Sequence, residues 1–168
     1  MVFKRVAKHL LMTHWQVRRA FPPAALQAIE QAITASEACH QGEIRFVVEG
    51  ALHFTPLIRD QAPRERAIDV FSALRIWDTE HNNGVLIYLL LADRTVEIVA
   101  DRGIHARIAD GEWRTICRQM EAAFSNNDFA AGAVNGIAGV THHLRQHFPL
   151  LSGHKRRVNE LPNQPVLM

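Results

Sequence analysis

With 168 residues, 48% of them hydrophobic and 21% charged, the chain has the composition of one globular domain with a full core and is short for two. A net charge of +2 commits it to no polyanion, and the two distant cysteines, Cys39 and Cys117, lack CxxC spacing and read as buried reduced thiols. The longest apolar run, Gly84 to Ala92, falls well short of the roughly 20 residues that cross a bilayer as a helix.

From the N-terminus, Lys4, Arg5, Lys8, Arg18 and Arg19 all precede the first acidic residue, Glu30. Those charges and His9 interrupt the stretch too often for a secretory leader. A cytoplasmic location is expected, with peripheral attachment at the inner membrane open to the basic arm. Residues 1–21 read as an amphipathic helix or arm that Pro22-Pro23 ends. Ala24 to Cys39 then carries Leu26, Ile29 and Ile33 at helical spacing. Glu43 to Gly50 reads as a strand, and residues 53–62 as a loop containing Pro56. From Pro63, Ala67, Val70, Phe71, Leu74 and Trp77 form an apolar helical stripe.

Next come two apolar strands joined by a turn at Ala92-Asp93-Arg94-Thr95. The first, VLIYLLLA, is apolar at consecutive positions, as a strand covered on both faces should be. Helices follow over Glu112 to about Asn126 and over Phe129 to His147. From Ser152 periodicity is lost, so residues 151–168 read as a flexible tail around a domain spanning 22–150. Alternating helices and strands of this kind predict a three-layer α/β/α sandwich with a small mixed sheet containing a central β-hairpin.

An antiparallel hairpin brings the start of its first strand beside the end of its second. Asp78, Glu80, Asn82 and Asn83 should therefore lie near Asp101, Arg102 and Gly103. Carboxylates and amides converging in this way suit a hard divalent cation such as Ca2+ or Mg2+. Two readings stay open: an irregular cation site made with Asp101, or Asn82-Asn83-Gly84 serving only as the turn into a strand, with Asp101 in an ion pair or helix cap. The EF-hand pattern fails, because the glycine comes one residue late and Leu89 stands where its bidentate Glu would be.

His143 and His147 have zinc-like spacing, but no HExxH glutamate completes a set, and they read as surface histidines near a helix C-terminus. His81, inside the acidic loop, also reads as a surface residue. Gly132, Gly136 and Gly139 line one helix side and should let it approach the sheet closely. No GxSxG, Walker or dinucleotide fingerprint is present, and basic residues are not interleaved with aromatics as nucleic-acid binding would need.

The stretch N-N-G-V-L-I-Y-L-L-L-A-D-R-T-V-E-I-V-A-D-R-G resembles the TPM domain family, named for a thylakoid lumen protein, a photosystem II repair protein and a nematode receptor-associated protein. The matching places are Trp77, Asn83-Gly84-Val85-Leu86, Asp93-Arg94, Gly103 and Phe129–Gly132. Arg75–Glu80 and Ala100–Ile104 resemble the soluble bacterial branch. Many relatives carry G-Y-G-L-E where this chain has Ala100 to Ile104, and His105 replaces a Glu. The resemblance, over roughly 24–148, implies an α/β/α sandwich, divalent-cation binding at the end of the sheet, and the phosphatase activity claimed for a plant member. Two functions then compete. In one, a metal on Asp78, Glu80 and Asp101 activates water while Arg75 or Arg102 steadies the phosphoryl charge. In the other, which a missing nucleophile favours, the same end of the sheet docks a protein partner in envelope or stress maintenance.

Overall fold

The computed structural model describes residues 2–150 and 158–168. In chain order the elements are α1 (Val2–Leu11), α2 (His14–Ala20), α3 (Pro23–Glu37), β1 (Glu43–Glu49), α4 (Phe54–Ile58), α5 (Pro63–Ala73), β2 (Gly84–Leu90), β3 (Thr95–Ala100), α6 (Arg102–His105), α7 (Asp110–Ser125), α8 (Phe129–His147) and β4 (Val166–Leu167). The strands make one mixed sheet in the order β3-β2-β1-β4. β1 runs parallel to β2, from Glu43 opposite Gly84 to Glu49 opposite Leu90. β3 returns antiparallel, with Val85 opposite Ala100.

β1 and β2 are buried over their whole length, which is why β2 reads as apolar on consecutive positions; β1 is covered as fully, although Glu43, Arg45 and Glu49 interrupt its pattern. Ile44, Phe46, Val48, Val85, Ile87 and Leu89 face Ile29 and Ile33 of α3, Ile116 and Met120 of α7, and Ile137 and Val140 of α8. Val47, Leu86, Tyr88 and Leu90 face the Ala67, Val70 and Phe71 stripe of α5. The three-layer α/β/α sandwich is therefore realised, with the hairpin filling one half of the sheet.

The ends of the chain are held more firmly than their patterns suggest. The N-terminal segment is two helices, broken where Thr13 and Gln16 form a capping box. Val17 and Phe21 join the core, and the Phe21 ring meets those of Phe46, Phe124 and Phe129. At the other end the expected flexible tail is corrected for residues 158–168. β4 pairs in parallel with β1, Arg45 donates to the carbonyls of Pro162 and Gln164, and Leu161 is buried against the α5 face. Residues 151–157 lie outside the described residues.

Three smaller corrections concern local packing. The loop at 53–62 contains α4. Cys39 is exposed and Cys117 is buried, both free; burial pushes the Cys117 thiol up to about 12, so it is no nucleophile at neutral pH. The glycines of α8 face α7, where β-carbons would strike Phe124, Met120 and Ile116, so they bring helix to helix rather than helix to sheet.

Candidate functional site

The corner at the start of β2 and the end of β3 is built by backbone before any side chain acts. Asp101 N–H donates to the Gly84 carbonyl at 2.9 Å, and Gly103 N–H donates to the Asn82 carbonyl at 3.1 Å. Asn82 takes a left-handed φ of 51°, which asparagine tolerates, and this turns the loop into β2. Asn83 N–H is capped by Thr79 Oγ1 at 3.1 Å, and the Asn83 carbonyl accepts from Glu43 at the head of β1. Two close approaches lock the arrangement. A β-carbon on Gly103 would sit 2.6 Å from the Asn82 carbonyl oxygen and 2.9 Å from that of His81. One on Gly84 would sit 2.1 Å from the Ile76 carbonyl oxygen. Gly84→Ala should therefore cost about 3 kcal/mol of stability by forcing the 76–83 loop outward. An unchanged melting temperature would show that the loop yields freely.

The convergence expected from hairpin geometry is present for Asn82, Asn83, Asp101 and Arg102. Arg102 Nε donates to Asn82 Oδ1 at 3.2 Å, placing a guanidinium on one of the expected cation ligands. Asp101 caps α6, its Oδ1 accepting from Arg102 N–H at 2.7 Å. Its Oδ2 is buried and without a hydrogen-bond partner. Asn83 is 1% exposed, and its amide nitrogen donates to the Gln41 carbonyl, which leaves Oδ1 buried and unpartnered as well. Among the described residues these are two of only three buried side-chain polar atoms in that condition, the third being Trp113 Nε1. Orphaned buried oxygens are uncommon enough to need a ligand, water or ion to account for them.

The remaining expected residues point elsewhere. Asp78 is bound at 2.6 Å by Arg75, three residues before it, and both side chains are more than half exposed. Such a surface pair contributes little stability, and it holds Asp78 against a cation already supplied by the chain. The Arg75 guanidinium also lies over the Trp77 ring. Glu80 is exposed, and its backbone N–H donates to the carboxylate of Glu160 at 2.7 Å. Among the described residues no group of three His, Cys, Asp or Glu side chains could hold a metal.

Sequence reasoning passed over the cleft beside this corner. About 340 Å3 in volume, it is lined by Gln41, His81, Asn83, Gly103, Arg107 and His147. Arg107 donates to the His147 carbonyl at 3.1 Å and lies over the Phe148 ring. His147 reaches the cleft from the end of α8, whereas His143 turns toward Glu112 and Trp113, so the two histidines share no site. Nothing in local spacing could have joined Gln41, Arg107 and His147. They meet because the ends of α3 and α8 come together, with Gln41 N–H donating to the Phe148 carbonyl at 2.9 Å.

A model of the TPM domain family matches residues 18–142. Among solved structures, the NMR structure of the BA42 protein from the psychrophilic bacterium Bizionia argentinensis is similar at 32% identity, with a TM-score of 0.71 over 86% of this chain and 93% of that one. The N-terminal domain of the cg2496 protein from Corynebacterium glutamicum is similar at 18% identity, with a TM-score of 0.48 over 79% of each chain. No curated protein matches the chain.

Proposed function

Because this chain belongs to the TPM domain family, we propose that it is a binding domain whose ligand end is the corner between Asn82–Gly84 and Asp101–Gly103. A divalent cation there would engage Asp101 and Asn83 and set the corner for a protein partner. The observation that carries this reading is the pair of buried oxygens, Asn83 Oδ1 and Asp101 Oδ2, that no protein group satisfies. Carboxylate, amide and carbonyl oxygens are the donors a hard cation prefers. With the carbonyls of His81 and Asn82 crowded over Gly103, the donor set fits Ca2+ better than zinc. Asp78 and Glu80 are left out of this set, which makes the site a modest one.

Hydrolysis asks more of the corner. Activating water for phosphoryl transfer depends on an anionic ligand cluster and a group to move the proton. Asp101 alone supplies charge here, and its neighbour Arg102 is already engaged with Asn82. The hydrolase therefore stands as the second reading.

Chelator-stripped protein should gain thermal stability on adding Ca2+ or Mg2+, by about 2.7 kcal/mol at a hundredfold excess over Kd. Asp101→Asn keeps the helix cap and removes the charge, so it should lose most of that gain. A flat response to both ions in the wild type sinks the cation site. Phosphomonoester turnover that disappears in Asp101→Asn would move the assignment to the hydrolase.

A further inference from the structure

At the opposite end of the sheet, α1 is built inside out. Arg5 and His9 point inward: Arg5 donates to Asp93 at 2.9 Å, to Asp60 at 2.6 Å and to the Gln61 carbonyl at 2.9 Å. His9, 4% exposed, accepts from Leu52 N–H on Nδ1, so its Nε2 carries the proton donated to Asp93 at 3.1 Å. The outward face carries Leu10 and Leu11, 71% and 73% exposed. A helix serving only a core would show the reverse pattern. The apolar exposure continues on the adjoining elements, at Trp15 of α2 and at Phe54 and Ile58 of α4.

The charge around these side chains that enters no ion pair is basic. Arg5 and His9 occupy Asp60 and Asp93, while Lys8, Arg18, Arg19, Arg59 and Arg94 are exposed and enter no ion pair among the described residues. The Arg19 guanidinium lies over the Trp15 ring, joining the cationic and apolar parts of the surface.

We propose that this α1–α2–α4 surface docks on an anionic lipid bilayer, with Leu10, Leu11 and Trp15 entering the interface and the surrounding basic side chains meeting lipid phosphates. Exposed leucines and a tryptophan beside cations are what an interfacial helix needs, whereas a nucleic acid would have no use for the leucines. No helix among the described residues is long and apolar enough to cross a membrane, and the contact proposed here is a peripheral one. The surface lies by the hairpin turn and the ends of β1 and β2, and the Asn83–Asp101 corner lies at their starts. Docking therefore leaves the corner pointing away from the lipid, and the proposal does not depend on the cation site.

The test is sedimentation of the full chain with vesicles of phosphatidylcholine alone and of an equimolar mixture with phosphatidylglycerol. Wild-type protein should partition at least about tenfold more strongly onto the anionic vesicles and lose that preference at high salt. Leu11→Ser with Trp15→Ser, and separately Arg18→Glu with Arg19→Glu, should each reduce anionic binding on the order of tenfold; the replaced side chains are exposed, so circular dichroism should be unchanged. Absence of vesicle binding, equal binding to neutral vesicles, or anionic binding untouched by both variants would each overturn the proposal. So would self-association in place of vesicle binding that Trp15→Ser abolishes, which would assign the surface to a second copy of the chain.

Discussion

Replacing Arg66 by methionine should lower the unfolding free energy by about 3–5 kcal/mol, the cost of leaving a buried carboxylate without its cation. The carboxylate is Glu49, 1% exposed at the end of β1. Arg66 grips it from α5 with two parallel hydrogen bonds, Nε to Oε2 at 2.9 Å and Nη2 to Oε1 at 3.0 Å. Tyr88 of β2 donates its hydroxyl to Oε2 at 2.6 Å. The hydrogen bonds to Glu49 raise the Arg66 guanidinium above its ordinary value, and burial, reinforced by Glu49, pushes the Tyr88 phenol up, so neither donor is lost at any ordinary pH.

For a chain of this length the loss corresponds to a fall of about 10 °C in melting temperature. A double variant separates the lost pair from lost packing. Glu49→Gln with Arg66→Met removes the unpaired charge while keeping an acceptor for Tyr88, and should recover a large part of the loss. A cost below about 1 kcal/mol for Arg66→Met would place this pair with exposed salt bridges and contradict its burial.

Glu49 and Tyr88 also show where a sequence pattern stops being informative. The strand patterns made β1 legible as a strand and β2, from its unbroken apolar run, as a central one, and the α5 stripe was legible from its 3.6-residue period. Neither pattern says that a glutamate and a tyrosine inside those strands meet an arginine on a separate helix, because that depends on strand register. The same holds at the candidate site. Antiparallel pairing brought Asn82, Asn83, Asp101 and Arg102 together as hairpin geometry requires. Arg75, with its left-handed φ of 53° just past α5, then captured Asp78 through a local contact that residue types alone do not disclose. β4 was illegible for another reason. Two residues carry no period, and they are held by edge pairing with β1, while Arg45 fixes the Pro162 and Gln164 carbonyls just before them, in each case across more than a hundred positions. Pairing there also covers an otherwise open sheet edge.

The second large effect is on acid stability, through His40. This residue is 2% exposed between α3 and β1, and burial, assisted by the positive charge of Arg145, holds its imidazole down at about 4. Hydrogen bonding explains why the neutral ring fits. Gly42 N–H donates to Nδ1 at 3.1 Å, so the ring proton sits on Nε2 and goes to Ser36 Oγ at 2.7 Å. Thr141 Oγ1 donates to the Ile137 carbonyl, and Ser36 therefore donates to Thr141 at 2.6 Å. The chain of donors runs one way from the turn before β1 through α3 to α8, which excludes a serine nucleophile activated by this histidine. Protonating Nδ1 would set two N–H groups against each other. An unfolded histidine titrates near 6.5, so between that value and about 4 the unfolded chain binds the extra proton. Stability should thus be complete above pH 6.5 and fall as pH drops toward 4, by about 3 kcal/mol in all, with no further contribution from this group below. His40→Asn keeps an acceptor for Gly42 and cannot titrate. Its unfolding free energy, measured by urea at a series of pH values, should decline less steeply than the wild type's across that window. Parallel curves for the two proteins would assign the acid sensitivity to other groups, His143 first among them, since burial lowers its imidazole too.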